Sequence, residues 1–223
     1  MIKDNLKQIF EEIKFGNNFG EKITLVGAIK MQTANDVNTA ISCGLTDVGE
    51  NKAQEFRDKN DFINPSAKRH FFGRIQSNKL KYIVGKVDLI QSVDSYSIAE
   101  QISKRSLNLN VTSNILVEIN LSGDQNKGGL TKEEINDFIE KASILPNVKV
   151  LGLMTILPES DNQEYLANLF DQAREIYDSL KEKYNFKHLS MGMSGDYLLA
   201  IKHGSNMIRV GSKIFGKRNY GEV

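Results

Sequence analysis

From position 22 onward, short β-branched or apolar runs alternate with longer stretches in which apolar residues recur every three or four positions. Eight of the short runs can be read, at 23–29, 46–49, 70–73, 89–92, 115–120, 148–153, 188–191 and 207–210. Each precedes a helical pattern, usually opened by a capping residue. Thr131 with Glu134, and Ser160 with Gln163, have the spacing of a capping box, in which each side chain satisfies a free backbone donor of the other residue. His203 before Gly204 reads as a helix end, and the segment 145–147 closes the helix before the sixth run in the same way. Ahead of the first run, Ile2, Leu6, Ile9, Phe10 and Ile13 lie on one face of an amphipathic helix over 1–15, whose interspersed charges are wrong for a signal peptide.

Strand and helix alternating eight times implies a parallel sheet, because every crossover returns the chain to the same end, and eight repeats close a barrel. The expected fold is a single α/β domain over 1–223, a (β/α)8 TIM-type barrel over 22–217 with an additional N-terminal helix. An open doubly wound sheet is the alternative. It would want a glycine-rich fingerprint after the first strand, and none is present.

A length of 223 residues and a hydrophobic content of 40% suit one such domain, and three prolines with no low-complexity stretch leave no linker. Lys and Arg total 29 against 28 Asp and Glu, without a block of like charge, so a nucleic-acid partner is not expected. Cys43 is the single cysteine, which excludes an internal disulfide and fits a reducing, cytoplasmic setting. No apolar run is long enough to cross a bilayer as a helix. No helix shows a surplus apolar face, so a monomer is expected.

In a barrel of this kind the working residues sit at the C-terminal ends of the strands. Here those positions are polar or small: Lys30; Gly49, Glu50 and Asn51; Gly73 and Arg74; Ser92 and Asp94; Asn120, Ser122 and Gly123; Met154 and Thr155; Met193 and Ser194; Gly211 and Ser212. Strand interiors read as almost wholly apolar. Lys30 follows Leu25, Val26 and Ile29, so its stem packs among apolar neighbours, and desolvation favours the neutral amine that a Schiff base needs. Taken alone, a lysine reaching from a strand end into solvent is the commoner outcome.

The last two loops change that balance. Ser194 follows the seventh run at the start of a helix, where free amides can hold a phosphate. Gly211 and Ser212 follow the eighth run just before a short helical segment at 213–215, and the loops after strands seven and eight form the phosphate site of many barrels. Each serine could be an ordinary helix cap; two such serines beside a lysine on the adjacent first strand favour a ligand. Arg209, among Met207, Ile208 and Val210, needs a partner if buried. A carboxylate is the plain candidate and a ring nitrogen or phosphate the functional one. With Glu50 the only acid apparent at the neighbouring strand ends, the ligand is favoured.

The segments Val48-Gly49-Glu50-Asn51, His70-Phe71-Phe72-Gly73 with Gln76-Ser77-Asn78-Lys79, Ser92-Val93-Asp94, Lys127-Gly128-Gly129-Leu130, Gly152-Leu153-Met154-Thr155, Ser190-Met191-Gly192-Met193-Ser194 and Arg209-Val210-Gly211-Ser212 resemble, in this order and over nearly the whole chain, the pyridoxal phosphate homeostasis protein family. The resemblance implies a fold like the N-terminal barrel of alanine racemase, with pyridoxal 5'-phosphate held by Lys30 as an internal aldimine. It implies further that Ser194, Gly211 and Ser212 bind the phosphate, that Arg209 faces the pyridine nitrogen, and that Asn51 lines the ring. An arginine there keeps the nitrogen unprotonated and weakens the ring as an electron sink. Ile29 and Met31 beside Lys30, and Arg74 where histidine is common, depart from the family pattern without removing a required group.

The resemblance therefore implies a carrier or reservoir serving intracellular cofactor homeostasis, with no dedicated catalytic residue, supplying apo-enzymes that use pyridoxal phosphate. The alternative on the same cofactor is a weakly active amino-acid racemase. Racemization needs acid/base groups on both faces of the substrate carbon, and Lys30 supplies one. In the related racemases a tyrosine of a second domain supplies the other, and this chain ends at Val223. A cofactor-free Schiff-base aldolase or sugar-phosphate isomerase would need a proton relay, for which Glu50 is the candidate. His70, read as the start of its strand, Cys43, Lys79, Lys81 and Tyr220 are read as structural or solvated.

Overall fold

A computed structural model describes residues 1–124 and 128–216 of the chain. Lys127, the expected barrel end at 217, and Tyr220 lie outside the described residues. The elements run α1 (Ile2–Ile13), β1 (Thr24–Ala28), α2 (Ala34–Ser42), β2 (Asp47–Glu50), α3 (Ala53–Lys59), β3 (Lys68–Phe71), β4 (Leu89–Val93), α4 (Tyr96–Leu109), β5 (Ser113–Ile119), α5 (Ile135–Ser143), β6 (Val148–Thr155), α6 (Gln163–Tyr184), β7 (His188–Ser190), α7 (Tyr197–Lys202), β8 (Met207–Val210) and α8 (Ser212–Phe215). All strand pairings are parallel and sequential, and β8 pairs back onto β1, so the sheet closes into the expected eight-stranded barrel. Between β3 and β4 the crossover is a 3₁₀ helix, Ser77–Tyr82, which carries Lys79 and Lys81.

Alternation along each strand sorts the apolar side chains into three clusters. Val26, Leu89, Leu116, Met154 and Met207 meet inside the barrel. Leu25, Ile29, Val48, Ile208 and Val210 face outward against α1, through Leu6, Ile9 and Ile13, and against α2, through Val37 and Ala40. On the other side Ile115, Val117, Ile119 and Leu153 pack with α4, α5 and α6. The outward set fixes the phase of β1, and the same alternation continues Val26 and Ala28 to Lys30 at the mouth.

Three local readings are corrected. Asn162, not Ser160, caps α6, its side-chain oxygen accepting from the Tyr165 amide, while the Ser160 hydroxyl accepts from the Asn162 amide. Asp196, not Ser194, is the N-cap of α7, and Ser194 belongs to the turn before it. His70 is the third residue of β3 rather than its first, because the strand begins at Lys68 and Arg69, whose polarity hid it.

The lumen is also not wholly apolar. Arg209 Nη1 donates to Ser190 Oγ at 2.6 Å, Ser190 Oγ donates to Gln91 Oε1 at 2.7 Å, and Gln91 Nε2 lies 2.8 Å from His70 Nδ1. His70 Nε2 stands 3.0 Å from Asp47 Oδ1. Because the Gln91 amide oxygen is taken by the serine, its nitrogen donates to Nδ1, which places the imidazole proton on Nε2 toward Asp47. Burial raises the Asp47 carboxyl, but the bonds from His70 and Thr46 outweigh it and hold the group below the usual carboxylate range. One directed chain of hydrogen bonds thus satisfies five buried polar side chains, from Asp47 near the strand starts to Arg209 near the rim.

Candidate functional site

The rim is built by register. Ala28 pairs with Gly49, and Gly27 pairs with Val210, so Lys30, Asn51 and Gly211 extend neighbouring strands at one arc of the mouth. A Cβ on Gly211 would stand 3.2 Å from the Ala28 carbonyl oxygen and 3.3 Å from the Ala28 Cβ, which measures how closely the last loop approaches β1. The Gly211 amide donates to Ser194 Oγ at 3.1 Å and so joins the loops after β7 and β8. Ser212 opens α8, whose first turn has no side-chain cap among the described residues. Its leading amides are therefore available to an anion, the arrangement that binds phosphate at helix starts.

Lys30 is half-buried in a turn, and among the described residues its amine has neither a hydrogen bond nor an ion pair. Asn51 is half-buried too, and among the described residues its side-chain oxygen is a buried acceptor without a donor. Such an orphan costs roughly 1–3 kcal/mol until something bonds to it. Gly73 lies directly over this residue, where a Cβ would meet the Asn51 carbonyl oxygen at 1.8 Å, and Ser92 Oγ fixes the Gly73 carbonyl at 2.6 Å.

Arg209 is 3% exposed and donates through Nη2 to the Thr155 carbonyl oxygen at 2.9 Å, in addition to Ser190. Burial pulls its pKa down to about 10, against the opposing influence of Glu118 and Asp196, so it stays charged at neutral pH. The expectation that Glu50 was the only acid within reach is thereby corrected. Glu50 faces outward and pairs with Lys59 at 2.7 Å, whereas Glu118 of β5 is the acid turned toward Arg209.

Glu118 was missed because a single acid in the run of β5 is ambiguous; its signal is that it shares the face of Leu116, which points inward. A Cβ on Gly128 would lie 3.2 Å from Asp94 Oδ2 and 3.6 Å from Glu118 Oε1, so the two carboxylates converge over that glycine. Burial and the facing Asp94 push the Glu118 pKa up to about 7, with Arg209 and Arg74 acting against the rise. Burial likewise raises the Asp94 carboxyl.

A raised folded-state pKa means that Glu118 contributes most to stability below its ordinary value of 4.5, and that this contribution is lost as pH rises through about 7. Glu118→Gln is expected to be more stable than the parent at pH 8 by on the order of 1–3 kcal/mol, with the difference shrinking toward pH 5. Urea unfolding midpoints across that range check this; a difference that does not change with pH contradicts the assignment.

A cavity of about 460 Å³ lies at the opposite end of the barrel, among Phe10, Lys22, Thr24 and Asp47. It is remote from the convergent groups of the rim, and chemistry rather than volume selects the rim as the site.

A sequence model of the alanine racemase N-terminal domain family matches residues 28–219. The pyridoxal phosphate homeostasis protein of Aquifex aeolicus is 42% identical over 98% of this chain and 96% of its own. PipY of Synechococcus elongatus, solved with PLP bound, superposes with a TM-score of 0.85 at 28% identity, covering 97% of this chain and 100% of PipY. Alanine racemase from Corynebacterium glutamicum shares the fold at a TM-score of 0.71 and 13% identity, covering 62% of the racemase.

Proposed function

The chain belongs to the pyridoxal phosphate homeostasis protein family, and from that membership and the geometry of the rim we propose that it holds pyridoxal 5'-phosphate through Lys30 as an intracellular carrier or reservoir. When bound, the cofactor would supply an aldehyde within reach of the Lys30 amine. The observation that carries the reading is a half-buried amine that has no carboxylate partner among the described residues, set one strand from a joined pair of loops whose amides no described side chain caps. Lys30 binds the aldehyde end; Ser194, Gly211 and Ser212 bind the phosphate. Asn51 offers its unpartnered oxygen to the ring, and Arg209 faces the pyridine nitrogen.

The charge on Arg209 disfavours protonation of that nitrogen, so Arg209 works against carbanion chemistry, and the protein has no dedicated catalytic activity. Glu50, the proton relay that a cofactor-free aldolase would require, is engaged by Lys59 and by the Asn51 amide at 2.9 Å. The protein works as a cytoplasmic monomer and passes its cofactor to apo-enzymes. Among the described residues no helix is long and apolar enough to cross a membrane.

After loading with pyridoxal phosphate and removal of unbound ligand, wild type is expected to keep a visible absorbance band that Lys30→Ala lacks, with no racemization of alanine by either. Absence of the band in wild type would sink the carrier reading, and appreciable racemization would turn it into an enzyme.

A further inference from the structure

Lys30 sits in a tight turn, 29–32, closed by the Gln32 amide donating to the Ile29 carbonyl oxygen at 3.1 Å. Met31 holds φ +61°, a left-handed conformation that a residue with a long side chain seldom adopts unless its surroundings impose it. The surroundings come from the end of α3. Lys59 Nζ donates to the Ile29 carbonyl oxygen at 2.7 Å and reaches the Gln32 carbonyl oxygen at 3.4 Å, spanning both ends of the turn. Glu55 Oε2 accepts the Met31 amide at 2.9 Å. Lys59 is in turn fixed by Glu50 Oε2 at 2.7 Å, and Glu50 Oε1 accepts the Asn51 amide.

The Lys59 side chain is 12% exposed and that of Glu50 1%, so the pair is screened little by water. The ammonium donates to two carbonyls of the turn and is held by the charge of Glu50 at 2.7 Å and, at 3.9 Å, of Glu55. It therefore acts as a strut between α3 and the turn that carries Lys30, while the Asn51 amide is held separately by Glu50 Oε1.

We propose that Lys59 is a positioning residue for the Lys30 amine, clamping the turn 29–32 so that the amine meets an aldehyde seated in the phosphate cradle. The inference rests on Lys30 being the cofactor-linking residue. Loss of Lys59 should leave the cradle on β7 and β8 intact while letting the amine wander, and a misplacement of about 1 Å in a reacting group costs up to roughly 100-fold in rate.

The test compares wild type, Lys59→Met, and Lys59→Met with Glu50→Gln; the double variant removes the lone buried carboxylate that could stop the single one from folding. Two quantities are read on folded protein: affinity for pyridoxine 5'-phosphate, which has the ring and phosphate but an alcohol in place of the aldehyde, and the rate at which pyridoxal phosphate becomes borohydride-trappable on Lys30. The expected result is pyridoxine phosphate affinity within about threefold of wild type, with trapping slowed about tenfold or more. Trapping at the wild-type rate in the double variant overturns the proposal, as does a parallel loss of both quantities, which would mark Lys59 as structural only. A wild type that traps nothing on Lys30 overturns the cofactor reading beneath it, an outcome distinguishable from the other two.

Discussion

Gly73→Ala is expected to cost roughly 3 kcal/mol or more of stability, enough to leave much of the chain unfolded at ordinary temperature. The reason is local and steric. The added Cβ would stand 1.8 Å from the Asn51 carbonyl oxygen, 2.4 Å from its carbon and 2.6 Å from its Cα, all backbone atoms of the β2 exit. Neither segment can give way cheaply. The Gly73 carbonyl is held by Ser92, and the Asn51 amide is held by Glu50, itself paired with Lys59. Urea denaturation and the soluble yield read the effect, and a variant as stable as the parent would show that the two strand ends are not in contact. If it folds partially, the displaced Asn51 should also weaken cofactor binding, tying the clash to the site.

Gly211→Val is expected to weaken binding of a phosphate ester roughly 100-fold, the loss of one or two charge-assisted hydrogen bonds at about 1.5–3 kcal/mol each. A Cβ at this position already stands 3.2 Å from the Ala28 carbonyl oxygen, so the γ-carbons of valine have no room without pushing the loop from β1. That movement opens the 3.1 Å bond from the Gly211 amide to Ser194 Oγ and shifts the start of α8. Stability should fall by only about 1–3 kcal/mol, since the loop is at the surface of the barrel mouth rather than in its core. Pyridoxine 5'-phosphate affinity by calorimetry separates the two effects; unchanged affinity would remove the β8 loop from the cradle.

The barrel was legible because its elements obey simple periodicity. Met207–Val210 reads as a strand and is one, and the face of α1 marked by Leu6, Ile9 and Ile13 is the face that is buried. Boundaries slipped where polarity misled, as at β3, whose first residues Lys68 and Arg69 look like loop. The proximity of Lys30 to the last two loops could be read as well, because closing a barrel makes its first and last strands neighbours.

The polar lumen could not be read in this way. Ser190 and Gln91 meet across 99 residues of sequence, a contact set by the stagger of the closed sheet rather than by spacing along the chain. Each is one polar residue inside an apolar run, the pattern of a buried strand with a tolerated exception. Lys59 was equally hidden. A lysine in the last turn of a helix reads as a dipole partner, and only the fold brings it to the carbonyl of Ile29, thirty positions away.

In the function proposed here, one amine at the end of β1 and the joined loops after β7 and β8 take the two ends of one small aldehyde. The most direct test is to reduce the wild-type protein with borohydride after adding stoichiometric pyridoxal phosphate, digest it, and locate the modified lysine by mass spectrometry. A single modified peptide containing Lys30 is expected, its labelling suppressed by excess pyridoxine 5'-phosphate. Label spread over other lysines with Lys30 unmodified would contradict it.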